Sequence, residues 1–192
     1  MDIERYTALL RTMLGDYRFT HSVGVMKAAV RLAEMYGADV EKARVAGLLH
    51  DVTKELDKAG HFELFRLGNV RLTALEERSP KLWHAVSGAV YAEKKLDVTD
   101  SDIVLAIRYH TTGRAGMSLL EKTVYLADFI SEDRSYPDVD VVRKLAEKSL
   151  DQAVFYTQSY SVRSLINKGK PVHPDSLACY NEAALAREDN NE

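Results

Sequence analysis

The chain has 192 residues, 46% of them hydrophobic and 29% charged, ordinary values for a soluble globular protein. Lysine and arginine number 26 against 29 aspartates and glutamates, so the formal net charge of −3 disfavours a general nucleic-acid binder and no nucleic-acid partner is expected. The longest apolar run is five residues, 103–107, and the single cysteine is Cys179, which excludes a membrane-spanning helix, an internal disulfide and a thiolate zinc site.

Helical periodicity runs through the sequence. Ile3, Tyr6, Leu9, Leu10 and Met13 recur at three- and four-residue spacing up to Gly15. Val25, Ala29, Leu32, Ala33 and Tyr36 predict a second helix that stops at Gly37. Val40, Ala43, Ala46 and Leu49 predict a third, and residues 58–67 a short one ending at Gly68. Pro80 is expected to open the next helix, through Leu82, Val86, Ala89, Val90 and Glu93. Residues 99–102 offer capping oxygens before Ile103, Ala106 and Ile107. Ser118 and Glu121 fit a capping box ahead of Val124 and Ala127. Pro137 is expected to open a helix over Val139, Val142, Leu145 and Ala146. A long helix over about 150–168 and a last one over about 175–186 precede a charged tail.

No segment alternates β-branched residues over five or more positions, so no strand is expected. The fold class is all-α, a compact multi-helix bundle. At about 150 residues per domain, one domain over residues 1–186 is expected, with 187–192 a disordered tail. The first five residues lack the basic-then-apolar pattern of a signal peptide, and a cytoplasmic protein without membrane contact is expected. Apolar positions in the C-terminal helices suit either a homodimer contact or closure of the bundle.

The chemistry lies in polar residues placed on apolar helix faces. His50 follows Ala46 by four residues and Ala43 by seven, with Asp51 beside it. His21 shares a face with Val25 and Leu32, His110 with Ile103, Ala106 and Ile107, and Asp128 with Leu120 and Val124. The face of His84 carries Ser87, Gly88 and Tyr91, small enough in part to leave room for a ligand. His61 sits in a polar helix and reads as surface, and Cys179 as buried and inert. A lone inward histidine is usually a satisfied core residue, and Asp128 alone could pair with an arginine. Four histidines and two aspartates turned inward together are better explained by metal, because an unpaired buried carboxylate is costly. Imidazole and carboxylate donors without thiolate suit iron, manganese, cobalt or zinc better than calcium. A carboxylate between imidazoles can bridge two ions, a pairing that activates water in phosphoryl transfer.

The ordered series His21, His50-Asp51, His84, His110, Asp128 resembles the metal signature of the HD-domain superfamily, metal-dependent phosphohydrolases on an all-helical fold. The segments 18–25, 46–55, 82–89 and 106–114, then 125–130 followed by Arg134, and Gly169–Pro174 with Tyr180-Asn181, are similar to those of bacterial symmetrical bis(5'-nucleosyl)-tetraphosphatases of the YqeK type. The similarity covers residues 3–181; Ser131-Glu132-Asp133 departs from it where a glutamate is expected directly after Ile130.

The resemblance implies a metal core over about 18–134 and C-terminal helices over about 137–186. It implies hydrolysis of diadenosine tetraphosphate to two ADP by metal-activated water, with iron, one or two ions, as the native metal. His21, His50, Asp51 and Asp128 would hold the principal ion, and His84 and His110 would complete a second position or contact phosphate. Asp51 and Lys54 are the expected catalytic residues, and Arg18, Lys54 and Arg134 the expected phosphate clamps. Nucleotide contacts are expected from these residues and ligands, with Val52, Thr53, Thr111, Thr112, Lys170, Pro171, Val172 and His173. Another nucleotide substrate (a nucleoside monophosphate, a deoxynucleoside triphosphate or a guanosine alarmone) and a dinucleotide-binding module without activity are the alternatives.

Overall fold

The computed structural model describes residues 2–189. Among them it holds eleven α-helices, one 3-10 turn and no strand, the expected all-α class. Helix α1 (Ile3–Met13) starts on Asp2, whose carboxylate accepts the Arg5 amide at 2.9 Å. Helix α2 (Asp16–Tyr36) turns Phe19, His21, Val25, Ala29, Leu32 and Ala33 inward at helical spacing and ends at Gly37 in the left-handed region, φ 76°. Helix α3 (Val40–Leu49) lies close against α2, because a Cβ on Gly47 would stand 3.0 Å from the Met26 Cα.

Helices α4 (Lys58–Leu67) and α5 (Ala74–Glu77) lead through a 3-10 turn, Pro80–Leu82, into α6 (Trp83–Lys95). Helices α7 (Ser101–Tyr109) and α8 (Leu119–Ile130) follow, the latter capped by the expected Ser118–Glu121 box. Helix α9 (Val139–Ala146), α10 (Leu150–Asn167) and α11 (Pro174–Asp189) complete the order.

Helix α2 packs on α3 and α8, and α7 packs on α3, α6 and α8. Leu32, Leu48, Leu49, Ile103, Ile107, Val124 and Leu126 form the centre of the core between them. Burying side chains of this size contributes about 1.5–3 kcal/mol each, which makes the core stiff enough to hold polar groups at fixed positions. Helix α10 packs on α8, α9 and α11, and α4 on α6. Apolar residues of the C-terminal helices divide: Val154, Val162 and Cys179 are buried, whereas Ile166, Leu177 and Leu185 are exposed. No described helix is long and apolar enough to cross a membrane.

Five features differ from expectation, one being α9, which begins at Val139 behind an Asp138 N-cap rather than at Pro137. Gly15 is the N-cap of α2 rather than the end of α1, and its amide donates to the Glu55 carboxylate at 2.7 Å. Pro80 opens a 3-10 turn, and the α-helix begins only at Trp83. Helix α5 has no expected counterpart; its four residues are held by a capping box between Thr73 and Glu76. The last helix extends three residues past 186 to Asp189, and positions 190–192 of the expected tail lie outside the described residues.

Candidate metal centre

Three helices, α2, α6 and α8, and the turns that end α3 and α7 bring the inward polar groups together. His50 and His110 stand at the C-terminal caps of α3 and α7. The Nδ1 of His50 donates to the Gly47 carbonyl at 2.8 Å, and that of His110 to the Ile107 carbonyl at 2.7 Å. A carbonyl only accepts, so each Nδ1 carries a hydrogen, which leaves Nε2 as the atom through which the ring can ligate. Both rings thereby satisfy terminal helix carbonyls, and the negative ends of two helix dipoles favour a cation between them.

Asp51 lies in the turn after α3. Its Oδ2 is 3.7 Å from His50 Nε2 and 3.5 Å from the Arg18 guanidinium. Its Oδ1 is 3.3 Å from His84 Nε2, 3.4 Å from His110 Nε2 and 3.3 Å from Lys54 Nζ. The two oxygens of one carboxylate thus face different imidazoles. On α2, His21 Nε2 meets Asp128 Oδ1 of α8 at 3.0 Å, and His50 Nε2 is 4.0 Å from the same oxygen. Arg134 closes this side: its guanidinium pairs with the Asp128 carboxylate and its Nε donates to the Asp128 carbonyl at 2.8 Å. Three overlapping sets, His21–His50–Asp51, His50–His110–Asp128 and Asp51–His84–His110, keep their ligand atoms within 4.8 Å of one another.

Burial and charge set the protonation states. Burial pushes the His50 imidazole down to about 4, despite Asp51 and Asp128 nearby. Burial likewise drives His84 well below its ordinary value, reinforced by His110 and Lys54. Burial opposes charge on Asp51, but His50, His110 and Lys54 outweigh it and hold the carboxyl well below the usual range. For Asp128, burial is again outweighed, by the hydrogen bond to His21 and the charges of His50 and Arg134. Burial also lowers Lys54, against the pull of Asp51. Neutral imidazoles beside ionised carboxylates are the protonation pattern that metal ligation requires.

The donor set passes a further test. His50 Nε2 and Asp51 Oδ1 are buried without a hydrogen-bond partner, Lys54 Nζ being near the latter but not aligned with it. Stranding one such atom costs about 1–3 kcal/mol. Two of them at the meeting point of five further ligand atoms are explained by a cation. Nitrogen and oxygen donors without sulfur fit a divalent transition metal.

Other expected residues fall at varied distances from this centre. Thr111 Oγ1 lies 3.1 Å from His84 Nε2 and 3.0 Å from His110 Nε2. Thr112 is buried, and its carbonyl accepts from Gln158 Nε2 at 2.8 Å and Ser176 Oγ at 2.9 Å, tying the site to α10 and α11. Val52 packs into the core, and Thr53 donates to the His84 carbonyl at 2.9 Å; both side chains brace the turn. Lys170, Pro171 and Val172 form the link between α10 and α11, with Lys170 and Pro171 exposed. His173 is buried with its Nε2 3.7 Å from the Glu76 carboxylate.

One expectation needs correction. His61 is not a surface residue: it is 6% exposed, its Nδ1 lies 2.8 Å from Ser87 Oγ, and its ring sits between Phe65 and Trp83. It shares the buried face of α4 with Leu64 and Phe65, which packs on α6. At Gly88, on the same helix as His84, an added Cβ would stand 3.4–3.6 Å from Ile107, Thr53 and the His50 backbone, so the space there is about that of a methyl group.

One residue of the centre has no expected role. Asp133 Oδ2 accepts a 2.8 Å hydrogen bond from His21 Nδ1, while Ser131 donates to its other oxygen at 2.8 Å. This carboxylate–histidine pair orients His21 as metal-binding histidines are commonly oriented. The visible signal was a carboxylate five residues after Asp128, in the segment that departs from the resembled pattern.

Comparison with known proteins agrees with this geometry. The model of the HD domain matches residues 18–133. The chain is 42% identical over 182 residues to "Bis(5'-nucleosyl)-tetraphosphatase, symmetrical" of Bacillus subtilis (strain 168), covering 94% of this chain and 97% of the relative. It is 34% identical to the protein of the same name from Staphylococcus aureus (strain NCTC 8325 / PS 47), covering 94% of each. The crystal structure of a predicted HD superfamily hydrolase involved in NAD metabolism from Clostridium acetobutylicum superposes with a TM-score of 0.93 at 36% identity, over 97% of this chain and 98% of that one. This chain belongs to the HD-domain family of hydrolases, in the branch that contains the symmetrical bis(5'-nucleosyl)-tetraphosphatases.

Proposed function

We propose that this protein hydrolyses diadenosine tetraphosphate symmetrically, releasing two ADP. The observation that carries the reading is the convergence of six ligand side chains around two partnerless buried atoms, flanked by Arg18, Lys54 and Arg134. His21, His50, Asp51 and Asp128 would hold a first ion. His84 and His110, with the other oxygen of Asp51, would hold a second or receive a phosphate. Iron is the proposed native metal, with manganese, cobalt or zinc as substitutes. A bound ion of this kind supplies Lewis acidity at phosphate oxygen and makes a water acidic enough to deprotonate near neutral pH.

The chain's own residues do the rest. In the loose transition state of phosphoryl transfer, positioning and charge neutralisation dominate. Lys54, three residues after Asp51 and half-buried beside His84, places one positive charge against the central phosphates. Arg18 and Arg134 present planar forks at the rim, each already drawn to a carboxylate of the cluster. Thr111 offers its hydroxyl to a phosphate oxygen near His84 and His110. The loop 170–173, held at His173 against Glu76, is proposed to wall the nucleoside of one ADP half. Water adds to one central phosphorus, the central P–O–P bridge breaks, and each product is a nucleoside diphosphate.

Chromatography of the nucleotides released by ferrous-loaded protein tests the reading. ADP as the sole product supports it. ATP with AMP contradicts symmetric cleavage, and no product from the dinucleotide contradicts the substrate.

A further inference from the structure

A cavity of about 920 Å³ opens beside the cluster, with His84 and Lys54 at its inner end. Arg18, Lys58, Arg78 and Lys81 also line it, and Glu77 is the carboxylate of its wall. Five cationic side chains around one concavity stand out in a chain whose net charge is −3. The volume falls within the range of about 300–1,000 Å³ of small-molecule sites. Neither Arg78 nor Lys81 has an ion-pair partner among the described residues. Clustered unpaired cations repel one another, and a polyanion in the cavity relieves that repulsion.

The cationic wall is built on a pinned segment. Arg78 and Lys81 lie between α5 and α6. Glu76, just before them, closes the capping box with Thr73 and pairs with Arg108 at 2.7 Å. Trp83, just after them, donates its indole N–H to the Glu76 carbonyl at 2.7 Å. Both charges are thus presented by a chain segment tied at each end, which lowers the ordering cost of binding.

We propose that this groove binds the second nucleoside diphosphate half of the dinucleotide, with Lys58, Arg78 and Lys81 contacting its phosphates. The inference rests on the dinucleotide reading above and extends it. Central cleavage requires a diphosphate on each side of the bridging oxygen whose bond to phosphorus breaks. Thr111 and the loop 170–173, assigned to one half, do not line this groove, so it is free for the other. The groove then selects for substrates with a second anionic half, through binding that is equal in the ground and transition states.

Steady-state kinetics on diadenosine tetraphosphate with iron-loaded wild type, Arg78→Ala/Lys81→Ala and Lys81→Glu tests it. Both positions are exposed, so melting temperature and iron content stay at wild-type values. The expected result is a KM raised about tenfold in the double variant, with kcat within about twofold and a weaker salt dependence of KM. The same KM direction is expected from the single charge reversal. A wild-type KM in both variants, or a loss of kcat at unchanged KM, overturns the groove assignment while the hydrolase reading stands. Wild-type protein that releases no ADP from the dinucleotide overturns the hydrolase reading, and the groove assignment with it.

Discussion

The Nδ1 of His21 and the Oδ2 of Asp133 are joined by a 2.8 Å hydrogen bond that crosses from α2 to the turn after α8. The bond directs His21 Nε2 toward Asp128, and Ser131 fixes the carboxylate from behind. Removing such an outer partner commonly costs 10–100-fold in metal affinity, because the ring loses both orientation and basicity. Asp133→Ala is therefore expected to weaken iron binding by about 10–100-fold in a chelator competition. Wild-type affinity in that variant would remove the orienting role.

Asp51 faces both imidazole sets, and no neighbouring side chain can replace it. Asp51→Ala also strips the counter-charge from Arg18 and Lys54, 3.5 Å and 3.3 Å away. Bound metal and dinucleotide hydrolysis are expected to disappear together, with activity down by about 10³-fold or more. The far-ultraviolet helical signal should survive, since the core contacts of α3 and α7 are apolar. Retention of activity in this variant would contradict the site.

The buried histidines make the metal-free protein sensitive to acid. Burial holds His50 at about 4 and moves His84 in the same direction, whereas an unfolded chain protonates its histidines near 6.5. Below about 6.5 the unfolded state binds more protons, so stability is present above that pH and falls as pH drops toward 4. The depressed Asp51 and Asp128 extend the loss in the same direction below the usual carboxylate range. Urea midpoints in the presence of chelator are expected to fall steadily from pH 7 to pH 5. A flat or rising midpoint over that interval would contradict the buried neutral imidazoles.

Gly113 carries the turn after His110. Its φ is +63°, and a Cβ would stand 2.5 Å from Gln158 Nε2 and 3.0 Å from Cys179 Sγ. Gly113→Ala combines left-handed strain with a clash against α10 and α11, and is expected to cost about 1–3 kcal/mol of stability. Chemical denaturation measures it. An unchanged midpoint would show that the turn adapts without strain.

The helical class was legible because periodic apolar residues and caps agree: Asp100, Ser118 and Gly37 act where their residue types suggest. The inward positions of His50, His110 and Asp128 followed from four-residue spacing to apolar neighbours. Helix α5 was not legible, since four residues carry no period. His61 misled because Lys58, Glu63 and Arg66 share its helix, while tertiary packing against Trp83 decides its burial. The role of Asp133 depends on α2 lying against α8, a contact 112 positions apart in sequence. The two carbonyls that fix the His50 and His110 tautomers leave no trace in residue type.

The central claim is that these side chains meet at metal, and anomalous diffraction from iron-loaded crystals tests it most directly. A peak is expected at metal–ligand bonding distance, about 2.0–2.3 Å, from His21 Nε2, His50 Nε2 and the carboxylates of Asp51 and Asp128. A peak away from these atoms, or none in iron-loaded protein that hydrolyses the dinucleotide, would contradict it.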